Sequence, residues 1–466
     1  MILKKNIFKL PFLSVIKKLF SKLIFFMGII FFTIVITIIS YYYSSGMHER
    51  FKPNILVKKI DKVILDKYLG FSIFEIDDYI KIKFKSLKYI FIKNKLEYIG
   101  IKIDQKNLYK LELQRKNKRN RTDSILENFA TAKLKSRNQE YDIKLRVKGD
   151  RVLHWYDKDQ VSYKIDLKGK NRVWGLEEFS VQKPITRNYV YEFTFHKLLQ
   201  FNDLISLKYF FINLSLNGKN KGIYAIEEGL SKELIERNKK RNGPIFGLDE
   251  RSGSKYPNVK YDLYSKDYWI SNHPELIEDA LLKLENLKLK KINANEIFDL
   301  DKWATFFAIV DLSNTLHGSL SKSVKLYYNP VTTKFEPIGF DGHYNSTLFN
   351  EFLILDFMDR ENWNCSYICR EREWYLRFFK NNDGSNNSEF IDLYMNALRK
   401  MSSQKFLENF NEKYFEEIKF NNSQLQTEVS KKDLNYYKGL GFYIFNENFL
   451  SEKSKYINDR LKKYVL

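Results

Sequence analysis

The chain has 466 residues, of which 44% are hydrophobic and 16% aromatic. So much apolar material fills large packed cores, which excludes wholesale disorder. The formal net charge is +22, from 79 lysines and arginines against 57 aspartates and glutamates. A positive field attracts anions such as phosphates, acidic lipids and acidic glycans, although a solvated lysine-rich surface gives the same excess of charge.

The N-terminal segment predicts a membrane anchor. Residues 23–39 read LIFFMGIIFFTIVITII without a charge, and tyrosines follow at positions 41–43. About 20 such residues cross a bilayer as a helix, and tyrosines suit its headgroup boundary. Because six lysines and no acid precede the segment, the positive-inside rule places the N-terminus in the cytoplasm and the main domain outside it. A cleaved signal peptide is the alternative.

Downstream, patterns of period two alternate with helical spacing. Alternating apolar residues at 79–84 and 89–92 predict strands in a small β-rich region, and the same alternation returns at 139–182. Asn217-Gly218 predicts the tight turn of a further hairpin. Helical spacing is seen at 108–135, 189–201 and 275–316 and over most of the chain beyond residue 350.

The order of these elements predicts an α+β protein: antiparallel hairpins, then helices, then a hairpin that turns through Pro330, and a helical C-terminal part. Cys365 and Cys369 lie four residues apart and would share one face of a helix, so they either form a local disulfide or remain ordinary thiols. The predicted regions are a basic cytoplasmic tail (1–22), a transmembrane helix (23–43), a small β-rich extracytoplasmic region (44–100), a core domain (101–350) and its helical C-terminal part (351–466).

Five short segments carry polar residues in a recognisable order. They are RVKGD with HW at 146–155, SYKI at 162–165, Pro184 with RN at 187–188, GIYAIEE at 222–228, and LYY with PIGFD at 326–341. In this order they resemble the spore coat protein H family, the CotH-like atypical kinases, over roughly residues 100–345. The C-terminal YINDRLKKY resembles the last helix of that family.

The resemblance implies a kinase-like fold that transfers phosphate from ATP, with Mg²⁺ or Mn²⁺, to a protein or surface-glycan hydroxyl. Such a reaction needs a cation at the phosphates, an acid that orients this cation, and a carboxylate that holds metal. By resemblance, Lys164 is the phosphate-binding cation, Glu228 its ion-pair partner and Asp341 the metal ligand. Arg187 and Lys148 complete the expected cofactor-binding residues.

Some assignments stay open. Glu227 and Glu228 point to opposite faces of one strand, so one of them points inward whatever the function. The family's catalytic acid or base falls in a stretch that reads NTLHGS here, where His317 takes its place, or Asp311 if the spacing shifts. Gly339 stands where the family's acidic motif has its first aspartate, which leaves one carboxylate for a metal ion.

Two functions are compatible with these residues. The first is a membrane-anchored phosphotransferase. The second is a catalytically degenerate extracytoplasmic module that binds cell-surface polysaccharide or envelope proteins; Gly339 and the scarcity of ATP outside the cytoplasm favour it. In this second case a basic surface binds an anionic glycan in a salt-dependent way. Independently of either function, the alternation around Lys164 is equally compatible with a lysine that only faces solvent. Nucleic acid is not an expected partner, because no nucleic-acid-binding module is recognised.

Overall fold

A computed structural model represents the protein, and the predicted tail, the predicted membrane helix and most of the β-rich region lie outside the residues it describes. Cys365 and Cys369 also lie outside them. The described residues are 96–119, 129–149, 151–248, 256–342, 352–359, 371–427 and 448–462.

Seven strands close into a barrel. They are β1 (Tyr98–Lys102), β2 (Ala130–Ser136), β3 (Gln139–Val147), β4 (Tyr163–Leu167), β5 (Glu178–Gln182), β6 (Tyr209–Leu216) and β7 (Lys219–Glu228). The order around the barrel is β1-β2-β3-β4-β5-β7-β6. Neighbouring strands are antiparallel except β1 and β6, whose parallel pairing closes the barrel.

The alternation of side chains explains these strands. In β3, Ile143, Leu145 and Val147 are buried inside the barrel while the residues between them point outward. The Asn217-Gly218 hairpin is confirmed, since both residues have the positive φ angles that a tight turn between β6 and β7 requires. The helix predicted over 108–135 ends early, because residues 130–136 alternate and pair with β3.

A second sheet and a set of helices make up the rest of the described chain. The sheet has the order β11-β10-β8-β9, from β8 (Ile245–Leu248), β9 (Tyr261–Leu263), β10 (Lys325–Asn329) and β11 (Lys334–Ile338). The helices are α1 (Gln105–Arg119), α2 (Val190–Phe201), α3 (Lys232–Arg237), α4 (Lys266–Asn272), α5 (Pro274–Lys288), α6 (Ala294–Ile297), α7 (Leu300–Ser313), α8 (Asp356–Asp359), α9 (Arg372–Phe379), α10 (Ser388–Met401), α11 (Gln404–Gln426) and α12 (Phe449–Leu461).

Helix α7 lies at the centre of the helical part and packs against α2, α10, α12 and β11. Its residues Trp303, Phe306 and Phe307 are fully buried. The Trp303 indole packs against Phe378 and donates a hydrogen bond of 3.0 Å to the Phe335 carbonyl. This aromatic core holds β11, and with it the segment that follows β11, in a fixed position.

The predicted fold class is wrong. The chain was expected to form an α+β, kinase-like (CotH-like) domain of antiparallel hairpins behind a transmembrane helix, and instead a closed barrel stands beside a second sheet and helices. The hairpins themselves form, but the parallel pairing of β1 with β6 joins residues more than a hundred positions apart. Local alternation carries no information about such a pairing, because it reports only which face of a strand is buried.

The membrane prediction also needs correction. Among the residues that the structure describes, no helix is long and apolar enough to cross a bilayer. The predicted span at 23–43 lies outside those residues. The predicted single-pass topology and extracytoplasmic location therefore have no support in the described chain.

We expect Trp303→Ala to lower the free energy of unfolding by about 3–5 kcal/mol, because it leaves a cavity and removes the hydrogen bond to Phe335. Urea titration followed by circular dichroism measures this loss. Val331→Ala, at a site that is 70% exposed, is the control and should stay within about 0.5 kcal/mol of the wild type. Equal stabilities of the two variants would show that α7 is not central to the core.

Candidate functional site

Five charged or titratable side chains meet where the barrel ends face the segment after β11. We call Lys148, Arg187, Glu227, Asp341 and His317 the charged cluster. Each lies in a different part of the fold. Lys148 directly follows β3, Arg187 ends the 3-10 helix Pro184–Arg187, and Glu227 lies near the end of β7. Asp341 lies in the segment after β11, and His317 lies in the 3-10 helix Leu316–Ser319. All but Lys148 are buried, and the side chain of Lys148 is 15% exposed.

The centre of the cluster is an ion pair between Lys148 and Glu227. Gln182 of β5 joins the pair at both ends: its Oε1 accepts from Lys148 Nζ at 2.9 Å, and its Nε2 donates to Glu227 Oε2 at 2.9 Å. Each member therefore holds the other two in place. Buried charges are tolerated when they are paired and hydrogen-bonded in this way.

Arg187 connects this pair to Asp341. Its Nη1 lies 2.8 Å from Asp341 Oδ1, and its Nε lies 3.4 Å from Glu227 Oε2. The guanidinium carbon also lies 5.9 Å from the centre of the Phe340 ring. A single arginine thus bridges the barrel carboxylate and the carboxylate that follows β11, which its planar fork of donors suits well.

His317 completes the cluster on the other side of Asp341. Its Nε2 lies 2.9 Å from Nη2 of Arg151, and its Nδ1 lies 3.5 Å from Asp341 Oδ2 and 3.2 Å from the Asp341 carbonyl oxygen. Because an arginine only donates, Nε2 must accept this hydrogen bond, and Nδ1 carries the proton that points to Asp341. The basic nitrogen of His317 therefore faces Arg151.

Burial and the neighbouring charges together shift the pKa values of the cluster. Burial raises the pKa of Glu227, but Lys148 and Arg187 outweigh it and bring the pKa below its ordinary value. Burial lowers the pKa of Lys148; Glu227 opposes this change and Arg187 adds to it. Burial, Arg187 and Lys148 hold the pKa of the neighbouring His154 well below its ordinary value. The surroundings therefore favour an anionic ligand.

Strained backbone flanks the Arg187–Asp341 pair. Asn188 and Tyr189 follow Arg187 with φ angles of 55° and 59°, and Asp341 itself has a φ of 57°. Residues other than glycine rarely adopt such angles, at a cost of order 1–3 kcal/mol each. Backbone of this kind persists where packing fixes it and is concentrated at functional sites.

The structure brings together only part of the predicted site. Lys148, Arg187, Asp341 and His317 meet, whereas Lys164 does not join them. Lys164 bonds to Glu178 at 2.9 Å on the outside of the barrel and is 31% exposed. Its neighbours along β4 fill the interior, and alternation then forces Lys164 outward.

Glu228 also lies apart from the cluster. It pairs with Arg237 of α3 and accepts a hydrogen bond from the Lys208 amide. The expected pair of Lys164 with Glu228 is therefore replaced by Lys148 with Glu227. The sequence pattern indicated Glu227 only as the alternative neighbour, and it gave no sign of Gln182, whose partner lies 45 residues away.

Asp311, the second residue considered for catalysis, is buried in the helical part. It accepts hydrogen bonds from the Tyr394 hydroxyl and the Ile354 amide. Burial raises its pKa to about 7, although Lys453 opposes this change. These contacts join α7 to α10 and to the segment at residue 354, so Asp311 has a structural part in the helical core.

Gly339 has a steric explanation. A Cβ atom there would lie 2.4 Å from Leu199 Cδ1 and 2.9 Å from the Phe195 ring, and one at Gly342 would lie 2.4 Å from the same ring. Real Cβ atoms essentially never come this close to other atoms, so an aspartate at 339 would force the buried side chains of Leu199 and Phe195 in α2 to shift. The close packing of this segment places Asp341 beside Arg187 instead.

A metal ion would find few protein ligands here. Within the described ranges, no group of three or more His, Cys, Asp and Glu side chains has the arrangement of a metal site. Asp341 and Glu227 are the carboxylates of the cluster, and Arg187 contacts both. Mg²⁺ commonly takes one or two carboxylates together with phosphate oxygens and water, so these residues fit an ion that arrives with a phosphate ligand.

The chain matches no protein-family model and no curated protein. The resemblance to the spore coat protein H family therefore stays a prediction that rests on the short segments alone. The charged cluster is therefore the feature of the chain that indicates a function.

We expect Asp311→Asn to remove a pH dependence of stability. The pKa of Asp311 is raised in the folded state, so its stabilising contribution is complete below the unfolded pKa of about 4 and is lost as the pH rises toward 7. Between these pH values, Asp311 makes the free energy of unfolding fall with pH by up to ~1.4 kcal/mol per pH unit. Urea titrations between pH 5 and pH 7 should show that the free energy of unfolding falls less in the variant than in the wild type. If the free energies of unfolding of both proteins change in parallel with pH, this expectation is contradicted.

Proposed function

We propose that the protein is an atypical phosphotransferase that moves a phosphoryl group from ATP, with Mg²⁺ or Mn²⁺, to a protein or glycan hydroxyl. The observation that carries this proposal is the buried Lys148–Glu227 pair, held by Gln182 and set against Arg187 and Asp341. Phosphoryl transfer depends mainly on positioning and on neutralising charge. An oriented lysine, an arginine and a nearby carboxylate supply these requirements.

Each cation of the cluster has a part in the proposal. Lys148 donates to a phosphate oxygen while Glu227 and Gln182 fix its direction. Arg187 presents its planar donors beside Asp341, where they reach a second phosphate oxygen. The divalent ion, when bound, neutralises charge on the phosphates, and Asp341 is the residue that would hold it.

His317 is the proposed base. Its Nε2 has the lone pair, and Asp341 faces the proton on Nδ1. When the acceptor hydroxyl takes the place of Arg151, its proton passes to Nε2, its oxygen bonds to the γ-phosphorus, and the bond to the departing ADP breaks. The carboxylate of Asp341 then stabilises the imidazolium.

A specific observation favours a second candidate, a module that binds an anionic ligand without transferring phosphate. The cluster has a single carboxylate after β11, because Gly339 stands where a second one is expected and a side chain there would displace Leu199 and Phe195. In this case Lys148, Arg187 and Arg151 bind phosphate or an acidic glycan by charge alone. The two candidates differ in turnover and in their need for a metal ion.

We expect ATP to bind the full-length protein in a calorimetric titration, first with Mg²⁺ and then with Mn²⁺. Lys148→Ala should weaken this binding about tenfold to a hundredfold, because a charge-assisted hydrogen bond is lost. Lys164→Ala is the matched control: it removes a lysine from the barrel exterior and should bind as the wild type does. Lys148→Ala should still fold, since Glu227 keeps Arg187 and Gln182 as partners. Equal affinities of the two folded variants would refute the proposed site.

Turnover separates the two candidate functions. Release of ADP, or incorporation of labelled phosphate into protein, should fall by about 10²–10⁴-fold in His317→Ala while ATP binding persists. Metal-dependent binding of ATP without any turnover would instead favour the binding module.

A further inference from the structure

Three serines follow His317 within six residues, and all three side chains are fully buried. They are Ser319, at the end of the 3-10 helix that holds His317, and Ser321 and Ser323, in the turn between this helix and β10. A buried hydroxyl needs a hydrogen-bond partner, and the three serines have different ones. The partner of Ser323 belongs to the charged cluster.

The first two serines bind outside the cluster. The Ser319 hydroxyl donates to the Leu316 carbonyl at 2.9 Å and lies 2.8 Å from the Tyr375 hydroxyl. The Ser321 hydroxyl donates to Glu371 Oε2 at 2.5 Å. Tyr375 lies in α9 and Glu371 directly precedes it. These two serines therefore attach the 3-10 helix and the following turn to α9.

Ser323 contacts the imidazole of His317. Its Oγ lies 3.3 Å from Nδ1 of His317. The same nitrogen lies 3.2 Å from the carbonyl oxygen of Asp341 and 3.5 Å from its Oδ2. A carbonyl oxygen and an ionised carboxylate only accept hydrogen bonds, so the proton of a neutral His317 belongs on Nδ1, and Ser323 Oγ is a further acceptor for it.

Close backbone packing sets the positions of these groups. A Cβ atom at Gly318 would come 3.0 Å from the Cα atom of Gly342, so the 3-10 helix lies directly on the segment after β11. This approach places His317 against Asp341. Ser323 ends the turn on the other side and has no exposed surface. The Nδ1 edge of the imidazole is therefore held between Asp341 and the serine hydroxyl.

We propose that Ser323 is a positioning residue for His317. Its oxygen shares the proton on Nδ1 with Asp341, and this keeps the lone pair on Nε2, where the acceptor hydroxyl is to be deprotonated. The consequence for turnover rests on the proposed phosphotransferase function, whereas the position of the proton does not. Loss of one such hydrogen bond changes an equilibrium or a rate by about twofold to tenfold.

The position of the proton is measured without any substrate. Nitrogen-15 NMR of the full-length protein, labelled at its six histidines, distinguishes protonated from unprotonated imidazole nitrogens, and His317→Ala identifies the signals of His317. At a pH of about 8 a histidine of ordinary pKa is neutral. We expect Nδ1 to carry the proton in the wild type. Ser323→Ala should raise the proportion of the form protonated at Nε2 by about twofold to tenfold.

The matched control is Ser319→Ala, because it removes an equally buried hydroxyl from the 3-10 helix that holds His317. It should leave the signals of His317 unchanged. Ser323→Cys has a side chain of similar size with only a weak acceptor, and it should shift the proton in the same direction as Ser323→Ala without leaving a cavity. Circular dichroism confirms that each variant is folded.

Turnover is the second readout. With ATP and Mg²⁺, release of ADP by Ser323→Ala should fall about twofold to tenfold below that of Ser319→Ala, while both variants bind ATP as the wild type does. A wild type that binds ATP but releases no ADP would contradict the phosphotransferase proposal, and the NMR comparison would still decide the role of Ser323.

Three NMR results would each overturn the role of Ser323. The first is a wild type in which Nε2 of His317 carries a proton. The second is a pair of folded Ser323 variants with the same His317 signals as the wild type. The third is a Ser319→Ala variant whose His317 signals change as much as those of Ser323→Ala.

Discussion

The pairing of the buried Glu227 carboxylate is the constraint on which the site depends. Glu227 is 2% exposed, and an isolated charge at such a depth would cost several kcal/mol. Lys148, Gln182 and Arg187 satisfy it, and they come from the end of β3, from β5 and from the 3-10 helix after β5. Because none of these contacts is local in sequence, they form only when β3, β5 and β7 have been brought together in the sheet.

The position of Asp341 follows from this network and from the packing beneath it. Arg187 lies 2.8 Å from Asp341, in a segment that packs closely on α2: a Cβ atom at Gly339 or Gly342 would come within 2.4 Å of Leu199 or Phe195. The left-handed angles at Asn188, Tyr189 and Asp341 are part of the same arrangement. The aromatic core around α7 fixes β11 and so supports this strained backbone.

Much of the local structure could be predicted from the sequence, because strands, turns and helices depend mainly on residues that are close to one another in the sequence. The alternation in β3 and the Asn217-Gly218 turn were both assigned correctly, and so was helix α2 from its spacing of apolar residues. The kinase-like fold was not correct, since the closure of β1 on β6 depends on strand register over more than a hundred residues. The membrane helix, assigned from residues 23–43, lies outside the described chain and gains no support from it.

The sequence by itself determined which residue types were available to the site: lysines at 148 and 164, glutamates at 227 and 228, Arg187 and Asp341. Only the tertiary structure decided which lysine pairs with which glutamate. Lys164 and Glu228 are each satisfied elsewhere, by Glu178 and Arg237, while Lys148 and Glu227 meet at the end of the barrel. The physical reason is that period-two alternation separates the two faces of a strand, but closure of the barrel and packing of the helices decide which face meets a partner.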